Sequence, residues 1–298
     1  MNEFVLSLEE RRRLLEANAA AARFYRRELL RATSSWPVEY LKSWGVEEVA
    51  ATDSVWKVGY APDTWTSLVD HLRGEGFGFG TLVRAGLVRW TDDGEAVDQH
   101  RDRLMLVARD GRLLPVGFVG IGPDGQARSV SPVTAVHRPS NVLVGVEEQL
   151  DLLGQGATPV VVDDPVDAFA VSKVSRQTDG RWIGIPVCGA GLSTAQARML
   201  RRFSATDNVI VALSGDQAQR NQAAGYLLDL AFFFDRVRAV GMPAEHSPAT
   251  LALCESGPER LRDALSKPLP LMLYRASGRS VAAVPRVDPD PPDRGPGL

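Results

Sequence analysis

The strongest constraint in this sequence is an alternation that begins after Gly154-Gln155-Gly156. Short apolar runs and amphipathic stretches follow one another: Val160-Val161-Val162, then Val166 to Val174; Trp182 to Val187, then Ala195 to Phe203; Val209 to Leu213, then Gln217 to Phe234; and finally Val237 to Val240. Alternation of this kind predicts a mostly parallel sheet covered by helices. Ligands of such sheets bind beyond the carboxyl ends of the strands, so the polar residues there carry the chemical information. Three ends stand out: Asp163-Asp164-Pro165 with Asp167 one turn further on, Cys188-Gly189-Ala190-Gly191, and Ser214-Gly215-Asp216. Carboxylates on neighbouring strand ends suit Mg²⁺, which takes a few carboxylates and completes its shell with water and substrate phosphates. That chemistry is phosphoryl transfer. The same residues have a plainer reading, because Asp164-Pro165 is also a helix N-cap followed by proline at the first helical position, and Asp216 is equally suited to capping.

The upstream half has a different texture. From Ser7 to Thr33, Leu14, Leu15, Ala19, Ala22, Phe24, Leu29 and Leu30 recur at helical spacing, and Ser7 with Glu10 forms a capping box, which predicts one long helix. A second helix fits Pro37 to Trp44 and stops at Gly45, with shorter ones around Thr64 to Arg73 and Gly80 to Ala85. Leu104 to Val107 and Leu113 to Val119, separated by Asp110-Gly111, read as a hairpin that the turn Pro123-Asp124-Gly125 extends. Pro258 to Leu265 predicts a last short helix ahead of an apolar segment around Leu269 to Tyr274.

Composition narrows the function classes by exclusion. The 298 residues suffice for two modest domains, and no stretch approaches the roughly 20 apolar residues of a membrane span, so a cytoplasmic protein is expected. Cys188 and Cys254 cannot build a disulfide framework, and with four histidines no zinc-ligand spacing exists, so no structural zinc is expected. The net charge of −3 gives no field that argues for nucleic acid by itself. All but four of the 34 basic residues are arginines, whose fork suits phosphate, although codon bias produces the same pattern.

A series of ordered motifs goes further. Glu16 to Tyr25, then Tyr40-Leu41-Lys42-Ser43-Trp44-Gly45, then Gly59-Tyr60-Ala61-Pro62-Asp63-Thr64-Trp65, then Ala85 to Val88, Arg101 to Met105, Ser131 to Thr134 and Gly257 to Ala264 stand in that order. In these segments the chain resembles the bacterial DnaG-type primases over roughly Leu14 to Leu273, including their "YL..RG" and "GYAP..W" segments. The resemblance implies an α+β primase-core N-terminal subdomain over residues 1–150, and an α/β TOPRIM domain with a mostly parallel sheet over 151–275, ending in a remnant of the helical segment that follows. The tail, 276–298, is dominated by Pro, Asp and Gly and is expected to be disordered.

In that family a TOPRIM Glu and an Asp-x-Asp hold Mg²⁺ or Mn²⁺ between an attacking 3′-hydroxyl and the incoming nucleotide. Carried over residue by residue, Asp163 stands where the family has Glu, Asp167 matches an Asp, and Ser214 and Asp216 occupy the two Asp-x-Asp positions. The catalytic and metal-binding candidates are therefore Asp163, Asp167 and Asp216, with Ser214 removing one charge. Gly189, Gly191 and Leu192 fall on the family's Gly-Thr-x-Leu turn, Gln219 replaces a glycine, and Ser247-Pro248 replaces an Asp-Pro. Arg101 and Arg103 match two arginines of a basic strand, and Arg128 or Ala127 stands for a lysine. Arg101, Arg103 and Arg128 are the candidates for holding nucleic acid and nucleotide, their plainer reading being a solvated strand face. Gln99 and Ile121 stand where arginines are common. His100 and His137 take aromatic positions, as ring replacements rather than proton shuttles, and Cys188 reads as a small buried residue.

Nothing in the sequence resembles the family's zinc module or its helicase-binding domain, so the resemblance implies a bare core. Two readings follow. One is a primase core that makes short RNA primers on single-stranded DNA from ribonucleotides, with activity impaired by Ser214 and with a separate replication protein supplying the missing modules. The other is a catalytically degenerate homologue that binds single-stranded nucleic acid, nucleotides or a replication partner. A TOPRIM nuclease or topoisomerase is disfavoured, because the upstream half resembles primases and no catalytic tyrosine or nuclease domain is identifiable.

Overall fold

The computed structural model describes residues 6–32, 35–123, 125, 128–188, 191–215, 218, 222, 225–226, 229–270 and 273. The first helix, α1 (Leu8–Arg31), starts as the sequence predicts: the Glu10 amide donates to Ser7 Oγ at 3.1 Å and the Ser7 amide donates to Glu10 Oε2 at 2.9 Å. Its apolar stripe, including Leu14, Ala17, Ala21, Phe24 and Tyr25, lies against an antiparallel sheet of order β1-β4-β5-β6. These strands are β1 (Gly59–Ala61), β4 (Arg103–Arg109), β5 (Pro115–Ile121) and β6 (Arg128–Val130). Helices α2 (Trp36–Ser43), α3 (Ser67–Gly74) and α4 (Phe79–Arg84) surround it, with a small ribbon of β2 (Val88–Trp90) and β3 (Ala96–Asp98) that the sequence patterns missed.

The β4–β5 hairpin forms where expected, but its left-handed residue is Leu113 at φ 61°, not Gly111. Asp110 explains this, since its Oδ1 accepts from the Arg112 and Leu114 amides and closes the turn with a side chain.

After α5 (Leu150–Gly154) comes the sheet that the alternation predicts: β7 (Thr158–Val162), β8 (Trp182–Pro186), β9 (Asn208–Val211), β10 (Arg236–Ala239) and β11 (Leu269–Pro270), in the order β11-β10-β9-β7-β8. All pairings are parallel except β10 with β11. Successive residues of β7 enter opposite cores. Val160 and Val162 pack with Phe169 and Val171 of α6 (Pro165–Arg176), whereas Val161 packs with Leu200 of α7 (Thr194–Phe203). Helix α6 can lie this close because β8 has glycine at 184, where a Cβ would stand 2.4 Å from the Ala168 Cα. The other face of α6 receives the helices Pro248–Ala252 and Gly257–Ser266. Trp56, from the loop ahead of β1, packs edge-on against Phe169 with ring centroids 4.7 Å apart, so the two sheets share a core.

Among the described residues no helix is long and apolar enough to cross a membrane. Eight of the eighteen residues of the predicted helix Gln217 to Phe234, and the whole tail 276–298, lie outside the described residues.

Candidate nucleotidyl-transfer site

Strand β7 delivers Asp163 to the carboxyl end of the parallel sheet. Its carbonyl accepts from the Cys188 amide at 2.8 Å, which ties the ends of β7 and β8 together. Cys188 is half-buried rather than buried, and it makes this connection at φ 56°. The Asp163 side chain differs from the backbone, because its Oδ1 is buried and has no hydrogen-bond partner. A buried carboxylate oxygen without a donor is unfavourable unless something cationic reaches it. Its charge is felt nearby: burial, and after it the Asp163 carboxylate, pushes the Tyr226 hydroxyl up to about 12. Tyr226 therefore stays protonated while its oxygen accepts from Gln222 Nε2 at 2.8 Å. Nothing in the sequence patterns singled out Tyr226, since a tyrosine within an amphipathic stretch reads as core.

Asp164 occupies the N-cap position of α6 with extended backbone and Pro165 behind it, but its side chain makes no capping bond. Asp167, one turn on, is 3% exposed and points into the seam between α6 and the helix Pro248–Ala252. Its Oδ1 accepts from Ser247 Oγ at 2.6 Å and from the Ala249 amide at 2.8 Å. Ser247 in turn caps that helix through the Thr250 amide. The helix itself is absent from the sequence-predicted elements; Ser247-Pro248 was its start signal.

On the third strand end Ser214 is half-buried, and Gly215 lies so close to the loop before Ser247 that a Cβ would meet the Pro243 carbonyl oxygen at 2.0 Å. The Gly215 amide donates to the His246 carbonyl at 3.0 Å, fixing that approach. Asp216, Gln219 and Gly189 lie outside the described residues. Among the described residues no three His, Cys, Asp or Glu side chains come together as a metal site. The donor chemistry nevertheless fits one hard cation at Asp163, because Mg²⁺ binds proteins through one or two carboxylates and keeps water and substrate phosphates in its other positions.

Of the basic candidates, Arg101 stacks its guanidinium 4.0 Å over the Trp65 ring and pairs through Nε with Asp63 Oδ1 at 2.8 Å. Trp65 is 57% exposed, so the pair forms a flat, half-neutralised platform on the surface. In the sequence Trp65 closes the Gly59 to Trp65 motif, which by itself assigns it no role. Arg103 opens β4 opposite Ala61 and is half-buried. Burial, with smaller contributions from Arg103 and His137, holds His100 down at about 4. Its ring lies between Ser129 Oγ at 2.9 Å and Ser131 Oγ at 3.3 Å, as a neutral packed ring rather than a proton carrier at pH 7. Arg128 begins β6, opposite Ile121.

Comparison with known proteins agrees with this fold. A sequence family described as the DNA primase catalytic core, N-terminal domain, matches residues 24–148. The DNA primase of Deinococcus radiodurans is 30% identical over 269 residues, covering 89% of this chain and 44% of that protein. The DNA primase of Mycolicibacterium smegmatis is 32% identical over 278 residues, covering 89% of this chain and 42% of that one. This chain thus spans less than half the length of these relatives. Among solved structures, the RNA polymerase domain of Mycobacterium tuberculosis primase DnaG superposes with a TM-score of 0.71 at 28% identity, covering 93% of this chain and 91% of that one. A DnaG primase catalytic domain bound to ssDNA has the same fold, with a TM-score of 0.75 at 24% identity over 95% of this chain and 86% of that one.

Proposed function

We propose, from the premise that this chain belongs to the bacterial DnaG-type primase family, that it acts as a primase core making short RNA primers on single-stranded DNA in the cytoplasm. The observation that carries this reading is the buried, unpartnered Oδ1 of Asp163 at the end of β7, an inner strand of the parallel sheet. Asp163, with Asp216, would hold Mg²⁺ or Mn²⁺, and such an ion when bound neutralises triphosphate charge. The remaining work falls to the chain's own groups. Arg101, Arg103 and Arg128 hold phosphates of template and nucleotide, and the exposed face of Trp65 stacks a base of the single strand. Asp167 acts as a positioning residue: by fixing the helix Pro248–Ala252 it holds the loop that fixes Gly215 beside Ser214. We assign the holding of template and nucleotide phosphates to residues 1–150 and metal binding to 151–275.

A second reading, a degenerate core that binds single-stranded DNA without polymerising, is favoured by one observation: an oxygen of Asp167 is already committed to Ser247 and Ala249, which leaves the strand end fewer free carboxylates. Primer synthesis with labelled ribonucleotides in Mg²⁺ and in Mn²⁺ separates the two. Products that disappear in Asp163→Asn support the polymerase. Equal DNA binding by both proteins with no products from either supports the binding module.

A further inference from the structure

A second gathering of guanidinium groups lies away from the strand ends. Arg11 from α1, Arg138 from the segment after β6, and Arg198 and Arg202 from α7 line a cavity of about 570 Å³. Among the described residues the only carboxylate in its wall is Asp110, from the β4–β5 turn. None of Asp163, Cys188, Ser214, Arg101 or Arg103 lines it.

The charges are unevenly matched. Arg11 Nη2 reaches Asp110 Oδ2 at 3.4 Å, and Arg202 Nη1 donates to the Gly111 carbonyl at 3.1 Å. Arg138 and Arg198 are exposed and have no carboxylate partner among the described residues. Arg198 and Arg202 are four residues apart on α7, so they project from the same face and repel each other. Cationic groups brought into one concavity with a single counter-charge are suited to an anion, and the guanidinium fork matches phosphate oxygens two at a time. Met199 and Val142 add apolar surface to the lining. A volume of this order lies within the range of roughly 300–1,000 Å³ typical of small-molecule sites.

We propose that this cavity binds a nucleoside di- or triphosphate, its clustered phosphates on the arginines and its base or ribose against the apolar part of the lining. A single cavity with apolar lining favours a nucleotide over a nucleic-acid strand, which calls for a basic groove that tracks several successive phosphates. The site does not depend on nucleotidyl transfer at Asp163, and it stands whether or not primers are made.

The test is calorimetric titration of the full chain in chelator and in an Asp163→Asn background, so that nucleotide held through a metal at the strand end does not contribute. The probes are ATP, inorganic tripolyphosphate and a single-stranded oligonucleotide. ATP is expected to bind more tightly than tripolyphosphate. The double variant Arg138→Ala/Arg198→Ala is expected to weaken ATP binding about tenfold or more, since bonds to charged groups are each worth that much. Arg260→Ala, an exposed arginine on another helix, should change nothing. Asp110→Asn keeps the Oδ1 that closes the turn while releasing Arg11, and should tighten binding. ATP binding that is absent, or unchanged in the double variant, overturns the proposal. So does an oligonucleotide that depends on Arg138 and Arg198 while ATP does not.

Discussion

Asp163 and Asp167 are separated by a single turn of chain, yet they end in different surroundings and in opposite states. At the open end of the parallel sheet, Asp163 has a buried oxygen with no donor. In the seam between α6 and the helix Pro248–Ala252, Asp167 is 3% exposed and accepts from two donors at 2.6 and 2.8 Å. The difference shows that a carboxylate's position in a motif does not settle its task; what settles it is whether the fold has already supplied its donors.

The largest effect expected from this contrast is on chemistry. Asp163→Asn should lower primer synthesis by about 10²-fold or more, since a lost contact to developing phosphate charge costs several kcal/mol. The same change should leave the midpoint of thermal unfolding in chelator unchanged or raised, because it removes an uncompensated charge. Asp167→Ala should show the reverse pattern in its stability. Leaving the Ser247 hydroxyl and the Ala249 amide without their acceptor should cost about 2–4 kcal/mol, read by urea unfolding. Equal losses of stability in the two variants would break the comparison.

A smaller effect concerns the platform of Trp65 and Arg101. Trp65→Ala should weaken binding to single-stranded DNA by about 1–3 kcal/mol in a way that salt hardly alters, as expected for stacking. Asp63→Asn should strengthen binding and steepen its salt dependence by freeing Arg101 from its ion pair. Fluorescence anisotropy at several salt concentrations measures both.

The smallest effect is on pH dependence, where two buried groups oppose each other. His100 is held at about 4, below its usual 6.5, so the unfolded chain binds a proton that the folded one does not. Its contribution is complete above pH 6.5 and is lost as the pH falls toward 4. Asp98 is raised from 3.8 to about 6, chiefly by burial, so acidification from 6 toward 4 favours the folded state there. The two trends offset each other in wild type. Asp98→Asn should therefore lose more stability than wild type between pH 6 and 4, read by unfolding midpoints at each pH.

Much of the fold was legible because local signals agreed with it. The capping box of Ser7 and Glu10 opens α1, Gly45 follows α2 at φ 61°, and the valines of β7 bury on both faces. The ribbon of β2 and β3 and the helix Pro248–Ala252 were not legible, because three- and five-residue elements are set by tertiary contacts rather than periodicity. At the site, spacing located the strand end but could not separate Asp163 from Asp167, since both lie where a ligand would. That distinction depends on Ser247 and Ala249, some eighty residues further along.

The central claim is that the strand-end carboxylate is the open one, and Mn²⁺ binding followed by electron paramagnetic resonance tests it most directly. Wild type and Asp167→Asn, which keeps an acceptor oxygen for Ser247 and Ala249, should bind Mn²⁺ alike, while Asp163→Asn should lose the bound ion. Binding that survives Asp163→Asn and disappears in Asp167→Asn would contradict the account.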